Sequence, residues 1–344
     1  MSAPPVALVD FPDPFVLNAG GSYYAFATNS GPTNVQVMFS ADLSHWDVLG
    51  DALPAVASWA QRGNTWAPAV LGRGDTFVLY YTVREPHSGR QAVSVATASA
   101  PQGPFRDVSD GPFVFQLDLG GSIDPSTFVD TDAQAYLVWK ADANALNEPS
   151  SLWGQPLSAD GLSLLGSPTR LLDHDAGWEN PLIEAPALLE VDGTYFLFYS
   201  ANWWSSADYA IGYATADAAL GPYTKVTTAG PWFAADGAVA GPGGQEFFTD
   251  AGGSVRMAYH GWQPGQIGYP GGARTLRLAT VTFSGATPSI GETVGLGRDW
   301  GASSPSRRIA APYSPRSSGW GGSTTSTSAP ISTTPTSRSS PSST

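Results

Sequence analysis

The sequence predicts an all-β protein, a five-bladed β-propeller, on three observations. A strand–turn–strand pattern recurs five times, about every 55–60 residues. Turn formers are abundant, with 39 Gly and 29 Pro, while charged residues make up only 13% of the chain. No convincing stretch has the apolar periodicity of a long helix. A β-sandwich would not explain so long a period, whereas radially packed blades would.

Four copies of the repeat begin at a proline, and each reads as an apolar strand, a tight turn and an aromatic-rich strand. They are PFVLNAGGSYYAFATN from Pro14, PAVLGRGDTFVLYYTV from Pro68, PSTFVDTDAQAYLVWK from Pro125 and PALLEVDGTYFLFYSA from Pro186. A fifth copy without the proline, EFFTDAGGSVRMAYHG, starts at Glu246. Two apolar runs that flank a short turn predict a β-hairpin in each copy.

A third strand is predicted after each hairpin, and a fourth strand after some of them. The third strands are VQVMFSAD, AVSVATAS, SLWGQPLS, YAIGYATA and LRLATVTF. GPFRDV in blade two and GPYTKV in blade four are candidate fourth strands. Four strands in each of five repeats complete the propeller.

The composition changes from about Ser303 to Ser, Thr, Pro and Gly. Such a segment cannot bury enough apolar area to offset its ordering entropy. We therefore predict a propeller domain over residues 1–302 and a disordered linker or tail over 303–344. A linker to a missing C-terminal module and a simple disordered tail fit equally well.

Charge and composition exclude several classes of partner. The net charge of −13 disfavours nucleic acid, and the absence of cysteine excludes disulfides and Cys-based metal sites. No apolar run reaches the roughly 18–20 residues of a transmembrane helix, so no membrane partner is expected.

The N-terminus, MSAPPVALVDFPDPF, lacks the charged head and apolar centre of a signal peptide. A cytosolic protein or a mature chain with a new initiator Met would both account for it.

Three carboxylates stand just before the aligned proline, or one residue earlier, in three different repeats. They are Asp13 in PDPF, Asp124 in SIDPS and Glu184 in IEAPA. Innermost strands of a propeller line one channel, so these side chains should converge. Crowded carboxyls raise at least one pKa, as a general acid needs, and glycoside hydrolysis uses an acid and a base. Asp-Pro is also a common turn pair, so either Asp alone could simply cap a strand. Asp10 falls outside the register and is expected to be a surface turn carboxylate.

The chain resembles glycoside hydrolase family 43 over about residues 8–298. The motifs that carry the resemblance are PDPF, WAP, SIDPS, EAP followed by FLFYSANWW, and GPG…FTD…YHGW. The resemblance implies the propeller fold, Asp13 as general base, Glu184 as general acid and Asp124 as the residue that tunes and orients the acid. It also implies inversion at the anomeric carbon, with the base and the acid roughly 6.5–9.5 Å apart.

One departure concerns metal. Many family members have a His after GPG that can help to hold a metal or a water, whereas this chain has Gly244 followed by Gln245. We therefore expect no essential metal and no cofactor. His260 is within reach of the channel but is expected to be a satisfied core histidine.

Aromatic side chains supply candidate sugar platforms, since sugars present apolar C–H faces. The substrate-binding candidates are Trp66, Asn202, Trp203 (or its neighbour Trp204) and Arg274, which matches a substrate-contacting Arg in related enzymes. A surface salt bridge is the alternative for Arg274. Most of the 12 Trp are expected to pack within or between blades.

The motifs resemble most those of exo-α-1,5-L-arabinofuranosidases, which predicts release of arabinofuranose from arabinan or arabinoxylan of plant cell walls. Endo-arabinanase, β-xylosidase and β-D-galactofuranosidase activities on the same fold stay open, as does a non-catalytic glycan-binding propeller. A polymeric substrate and the Ser/Thr-rich segment favour a secreted protein, and we expect a monomer.

Overall fold

The computed structural model describes residues 4–294, with side chains up to residue 291, and shows a five-bladed β-propeller. The predicted segment 303–344 lies outside the described residues. Within them are three short 3₁₀ helices, Leu117–Leu119, Ala143–Leu146 and Gly177–Glu179. None of these has the length or apolar character of a membrane-spanning helix.

Each blade is one antiparallel sheet whose strands follow the order of the chain. Blade one comprises β1 (Phe15–Ala19), β2 (Ser22–Ala27), β3 (Gln36–Ser40) and β4 (Asp47–Asp51). Blade two comprises β5 (Gln61–Arg73), β6 (Thr76–Arg84) and β7 (Gln91–Ala98). Blade three comprises β8 (Ser122–Val129), β9 (Ala135–Ala141), β10 (Ser151–Pro156) and β11 (Thr169–Asp173). Blade four comprises β12 (Ile183–Val191), β13 (Thr194–Ala201), β14 (Ala210–Ala216) and β15 (Thr224–Lys225). Blade five comprises β16 (Ala240–Thr249), β17 (Val255–Trp262), β18 (Thr275–Ser284) and β19 (Thr287–Val294).

The predicted hairpins are all present, and the predicted fourth strands are only partly so. GPYTKV forms the two-residue strand β15 against β14. GPFRDV contributes a single antiparallel bridge, Thr97 to Arg106, rather than a strand. Blade two therefore has three strands.

The core is divided among the five interfaces between neighbouring blades. Each interface has one apolar cluster, such as Val138, Leu188 and Leu197 between blades three and four. Strand β13 explains the continuous apolar runs of the sequence: Leu197 faces blade three and Phe198 faces blade five. Because both faces of a middle strand are buried, the apolar/polar alternation of a one-sided sheet is lost.

The N-terminal segment helps to join blade five to blade one. Val6 and Phe11 are buried in the cluster that those two blades share. Their backbone N–H groups donate to the carbonyls of Leu276 and Arg274, at 2.9 and 2.8 Å. The innermost strands β1, β5, β8, β12 and β16 consequently contact one another in a closed ring around the channel.

Candidate active site

All five blades share a backbone position with positive φ, which lies within the innermost strand or just before it. Asp13, Ala67, Asp124, Ala185 and Gly244 occupy it, with φ angles from 40° to 58°. Only glycine adopts this left-handed region readily, so four of the five residues are strained. We call this the left-handed position. A cavity on the channel axis is lined by all five of these residues, by the residues that follow four of them and by Glu246.

Two of the predicted carboxylates, Asp13 and Asp124, line this cavity, and the third, Glu184, directly precedes Ala185 of its lining. Asp13 and Asp124 hold the left-handed position itself, whereas Glu184 comes one residue earlier, before Ala185. The pairing of β12 with β13 has a bulge between Glu184 and Ala187. Trp66 holds in blade two the position that Glu184 holds in blade four, and it is partly exposed there.

Asp13 is held as an anion. Its Oδ2 accepts the Thr28 hydroxyl at 2.6 Å, and its Oδ1 lies 3.3 Å from Nη1 of Arg274. Burial by itself would raise the pKa of Asp13, but the charge of Arg274 and the Thr28 hydrogen bond outweigh it and lower this pKa below its usual value. An ionised carboxylate with a cation beside it suits a general base.

His260 contacts the backbone of Asp13 and is a neutral ring. Burial, with the nearby charge of Arg274, lowers the pKa of His260 to about 3. Its Nδ1 accepts the backbone N–H of Asp13 at 3.0 Å, so the ring proton is on Nε2. His260 is fully buried and stacks on Tyr209, with ring centroids 5.9 Å apart. It is a core histidine, as predicted, but it is not a satisfied one, because its buried Nε2 has no hydrogen-bond partner among the described residues.

Glu184 is held through both of its oxygens. Tyr209 donates its hydroxyl to Oε1 at 2.8 Å, and Lys140 donates to Oε2 at 3.0 Å. Both partners are buried. Neither Lys140 nor Tyr209 was singled out from the sequence.

Asp124 is influenced by the negative charge of Glu184. Its pKa is raised well above the usual value, first by burial and then by the negative charge of Glu184, which together outweigh Lys140. Its Oδ2 accepts the backbone N–H of Ala185, the residue after Glu184, at 3.0 Å. Burial and the Glu184 charge therefore favour the protonated form of Asp124. The pKa of Asp124 is thus raised and that of Asp13 lowered, and such a separation of carboxyl pKa values is typical of sites that combine an acid with a base.

Arg274 is buried beside Asp13 rather than on the surface, so the surface-salt-bridge alternative is wrong. It is 8% exposed, and its guanidinium lies 4.6 Å from the ring centre of Trp204. The expectation of a surface role for Asp10 is wrong as well. Its Oδ1 accepts the backbone N–H of Arg274 at 2.8 Å and the Tyr269 hydroxyl at 2.7 Å, so it anchors the segment that carries Arg274.

The other predicted substrate-binding residues lie on the segment after β13. Trp203 is 46% exposed and Trp204, next to it, stacks on the buried ring of Trp262. Asn202 has a local role in this structure: its Nδ2 donates to the carbonyl of Trp178 at 3.3 Å, and its Oδ1 accepts the N–H of Trp203. The roles of Trp66, Asn202, Trp203 and Arg274 toward a substrate stay predictions.

The residues at the channel do not fit a metal held by the protein. Among residues 4–291, no three His, Asp or Glu side chains are arranged to hold an ion. A side chain at position 244 would place its Cβ 2.6 Å from His260 Nδ1 and 3.0 Å from Asp13 Oδ1, so a ligand cannot be accommodated there. His260 Nδ1 is already engaged by the N–H of Asp13. That the reaction needs no metal stays a prediction.

Comparison with known proteins decides the family. The sequence model of glycosyl hydrolases family 43 matches residues 3–288. The chain belongs to this family. It is therefore a glycoside hydrolase by family, and the resemblance seen in the motifs is confirmed across the propeller.

Relatives within family 43 carry different activities. The arabinoxylan arabinofuranohydrolase of Bacillus subtilis strain 168 is 28% identical over 255 residues, which cover 62% of this chain and 48% of that protein. The probable arabinan endo-1,5-α-L-arabinosidase A of Aspergillus flavus is 26% identical over 309 residues, 81% and 90% of the two chains. The extracellular exo-α-(1→5)-L-arabinofuranosidase of Cellvibrio japonicus is 27% identical over 212 residues, 57% and 59% of the two chains. This chain thus spans about half the length of the first of these relatives.

A solved structure supports the fold. The crystal structure of a thermostable family-43 glycoside hydrolase superposes with a TM-score of 0.76 at 26% identity, covering 90% of this chain and 99% of that one.

Gly244 provides a test of the site's packing. We expect Gly244→Ala to lower kcat at least about tenfold, because its Cβ would push against His260 and Asp13. Gly253→Ala is the matched control: Gly253 also has a positive φ, of 83°, but nothing lies within 4 Å of a Cβ there. Both variants should lose about 1 kcal/mol from the left-handed backbone. Measurement of Tm and kcat separates the two effects, and equal kcat values in the two variants would contradict the crowding.

Proposed function

We propose that this chain is an inverting glycoside hydrolase that releases L-arabinofuranose from α-1,5-arabinan or from arabinose-decorated plant polysaccharide. The observation that carries the proposal is the separation of carboxyl roles: an anionic Asp13 beside Arg274, and a protonated Asp124 whose Oδ2 accepts the backbone N–H next to Glu184. Hydrolysis with inversion needs one carboxylate and one carboxylic acid at the same site.

In the proposed reaction, Asp13 accepts a proton from the attacking water while the water oxygen forms a bond to the anomeric carbon. Glu184 donates a proton to the glycosidic oxygen, and the bond from that oxygen to the anomeric carbon breaks. Asp124 orients this acid by accepting the backbone N–H of Ala185, the residue after Glu184, and tunes its protonation, as the family resemblance implies. Proton exchange with water restores both groups, so the protons balance.

Three features support arabinofuranose as the sugar. The sequence motifs SIDPS, YSANWW and GPGGQEFF resemble those of exo-acting arabinofuranosidases. By name, one of the relatives acts on arabinan, one acts on arabinoxylan and one is an exo-α-(1→5)-L-arabinofuranosidase. Trp66 and Trp203 are partly exposed aromatic rings, as sugar-stacking platforms should be. Trp66 is in blade two, next to the blade that follows Asp13, and Trp203 follows β13 of blade four, which carries Glu184. A polymeric substrate and the extracellular relative support secretion.

Digestion of linear α-1,5-arabinan, followed over time by chromatography and proton NMR, tests the proposal. We expect arabinose from the earliest points, first as the β-anomer. A ladder of oligosaccharides would indicate an endo-arabinanase instead. Absence of any product, with hydrolysis of a xyloside or galactofuranoside, would assign another sugar to the same site. Binding of arabinan without hydrolysis of any of these substrates would indicate a non-catalytic glycan-binding propeller.

A further inference from the structure

A second set of residues surrounds the left-handed positions. Each pairs across the hairpin of its own blade with the residue that precedes the left-handed position. We call them the support residues, and all five are polar: Thr28, Thr82, Lys140, Ser200 and His260. Four are fully buried or nearly so, and Thr28 is 8% exposed.

Four of the support residues make the same hydrogen bond. Each accepts the backbone N–H of the residue at the left-handed position of the next blade, and so stabilises that backbone conformation. The four bonds are Ala67 N to Thr28 Oγ1 at 2.9 Å, Asp124 N to Thr82 Oγ1 at 3.1 Å, Gly244 N to Ser200 Oγ at 2.9 Å and Asp13 N to His260 Nδ1 at 3.0 Å.

Lys140 is the exception, because an ammonium group has three donors and no acceptor. The N–H of Ala185, which a support residue of blade three would bind, donates instead to Asp124 Oδ2. The Lys140 ammonium lies 3.0 Å from Glu184 Oε2 and 3.1 Å from Asp142 Oδ1, and the side chain is 1% exposed. Lysine is almost never fully buried without such partners.

We propose that Lys140 is a positioning residue that replaces the hydrogen-bond acceptor of the other four blades, fixes the Asp124–Glu184 pair and sets the upper pH limit of hydrolysis. This inference rests on the proposed function. A fifth acceptor would take the N–H of Ala185 and leave Asp124 Oδ2 without it. With Lys140 present, Asp124 accepts the N–H of Ala185 instead. Glu184 is fixed by hydrogen bonds from Lys140 and Tyr209.

The charges around the pair determine the direction of the pH effect. The titratable groups that face it are Lys140, Asp142, Tyr209, Asp13 and Glu246. Lys140 is the cation among them and favours the ionised form of Asp124, while burial and the Glu184 charge oppose it. Without Lys140, Asp124 keeps its proton to higher pH. The alkaline limb of the kcat/KM profile should then move up by about 1–3 pH units.

Two substitutions test this proposal. Lys140→Met keeps the length of the side chain without its charge, and Lys140→Thr restores the type of acceptor that Thr28 and Thr82 supply. We expect both to move the alkaline limb upward and to lower kcat at least about tenfold, with a smaller change in KM, because the acid is no longer oriented. Val138→Ala is the control for destabilisation: Val138 lies on the same face of β9, two residues earlier, and is buried between blades three and four. It should lower Tm and leave the limb in place.

A substrate-free measurement separates this inference from the proposed function. Carboxyl ¹³C NMR, with Asp124 assigned through Asp124→Asn, should show Asp124 titrating at higher pH in Lys140→Met than in the wild-type protein. An unmoved limb and an unmoved Asp124 titration in Lys140→Met would overturn the proposal and leave Lys140 a structural residue. If the wild-type protein hydrolyses none of the substrates, the proposed function fails. In that case the titration alone decides whether Lys140 acts on the pair.

Discussion

Glu184→Gln should reduce kcat on arabinan by about 10³–10⁴-fold while affinity for arabino-oligosaccharides changes only a few-fold. The amide has nearly the shape of the carboxyl but no acidic proton to donate. It fits with its oxygen towards Lys140, which can only donate, and its NH₂ towards Tyr209, whose hydroxyl can accept. The site should therefore keep its geometry and lose its acid. Steady-state kinetics and isothermal titration calorimetry measure the two quantities.

Varying the acidity of the leaving group tests whether Glu184 acts as the general acid. An aryl arabinofuranoside whose phenol is already acidic needs little protonation, so Glu184→Gln should hydrolyse it at close to the wild-type rate. Glu179→Gln is the matched control, since Glu179 is also buried and paired with a lysine, Lys225 at 2.8 Å. It should lose stability without a dependence on the leaving group. An equal loss on both substrates in Glu184→Gln would remove Glu184 from the acid role.

The fold was predictable from the sequence because the propeller repeats itself. Each interface between blades needs the same apolar hairpin, so the amino-acid sequence by itself shows a period of about 55–60 residues. Fourth strands were less predictable, since outer edges are short and their pairing depends on local geometry. Arg106 makes one bridge where Thr224 and Lys225 make a two-residue strand.

The three carboxyls of the candidate site were also predictable, because the repeat aligns residues that are distant along the chain. Their supports were not. Lys140 closes an apolar strand, YLVWK, and a charge at the end of such a run is the one sequence signal that points to it. Asp10 and Tyr269 gave no such signal: they meet only because the segment around Arg274 folds back over the N-terminal segment. The sequence contains the residues of that contact but not their proximity.

Asp13→Asn should reduce kcat by about 10³–10⁴-fold on every substrate, whatever its leaving group. The amide cannot take a proton from water. With its oxygen towards the Thr28 hydroxyl, its NH₂ faces the Arg274 guanidinium, so a favourable ion pair is lost as well. In the wild-type protein, the lowered pKa of Asp13 keeps the base ionised until the pH falls below about 3.9, the ordinary value for Asp. The acidic limb of kcat/KM should therefore lie below that pH and should be lost in the variant.

A nucleophile that needs no deprotonation distinguishes a base from a structural carboxylate. Asp13→Ala leaves room beside Arg274, so added azide should restore turnover and yield the glycosyl azide with inverted configuration, detectable by NMR. Asp107→Asn is the control, because Asp107 also accepts hydroxyl groups, from Tyr81 at 2.7 Å and Ser94 at 2.5 Å, but lies away from the channel. It should keep its activity and be indifferent to azide. If azide failed to rescue Asp13→Ala while that variant kept the wild-type Tm, water activation would have to be assigned to another group. In Asp13→Ala, Arg274 loses its carboxylate partner. The loss of activity in that variant would then be explained by a displaced Arg274 that no longer positions the substrate.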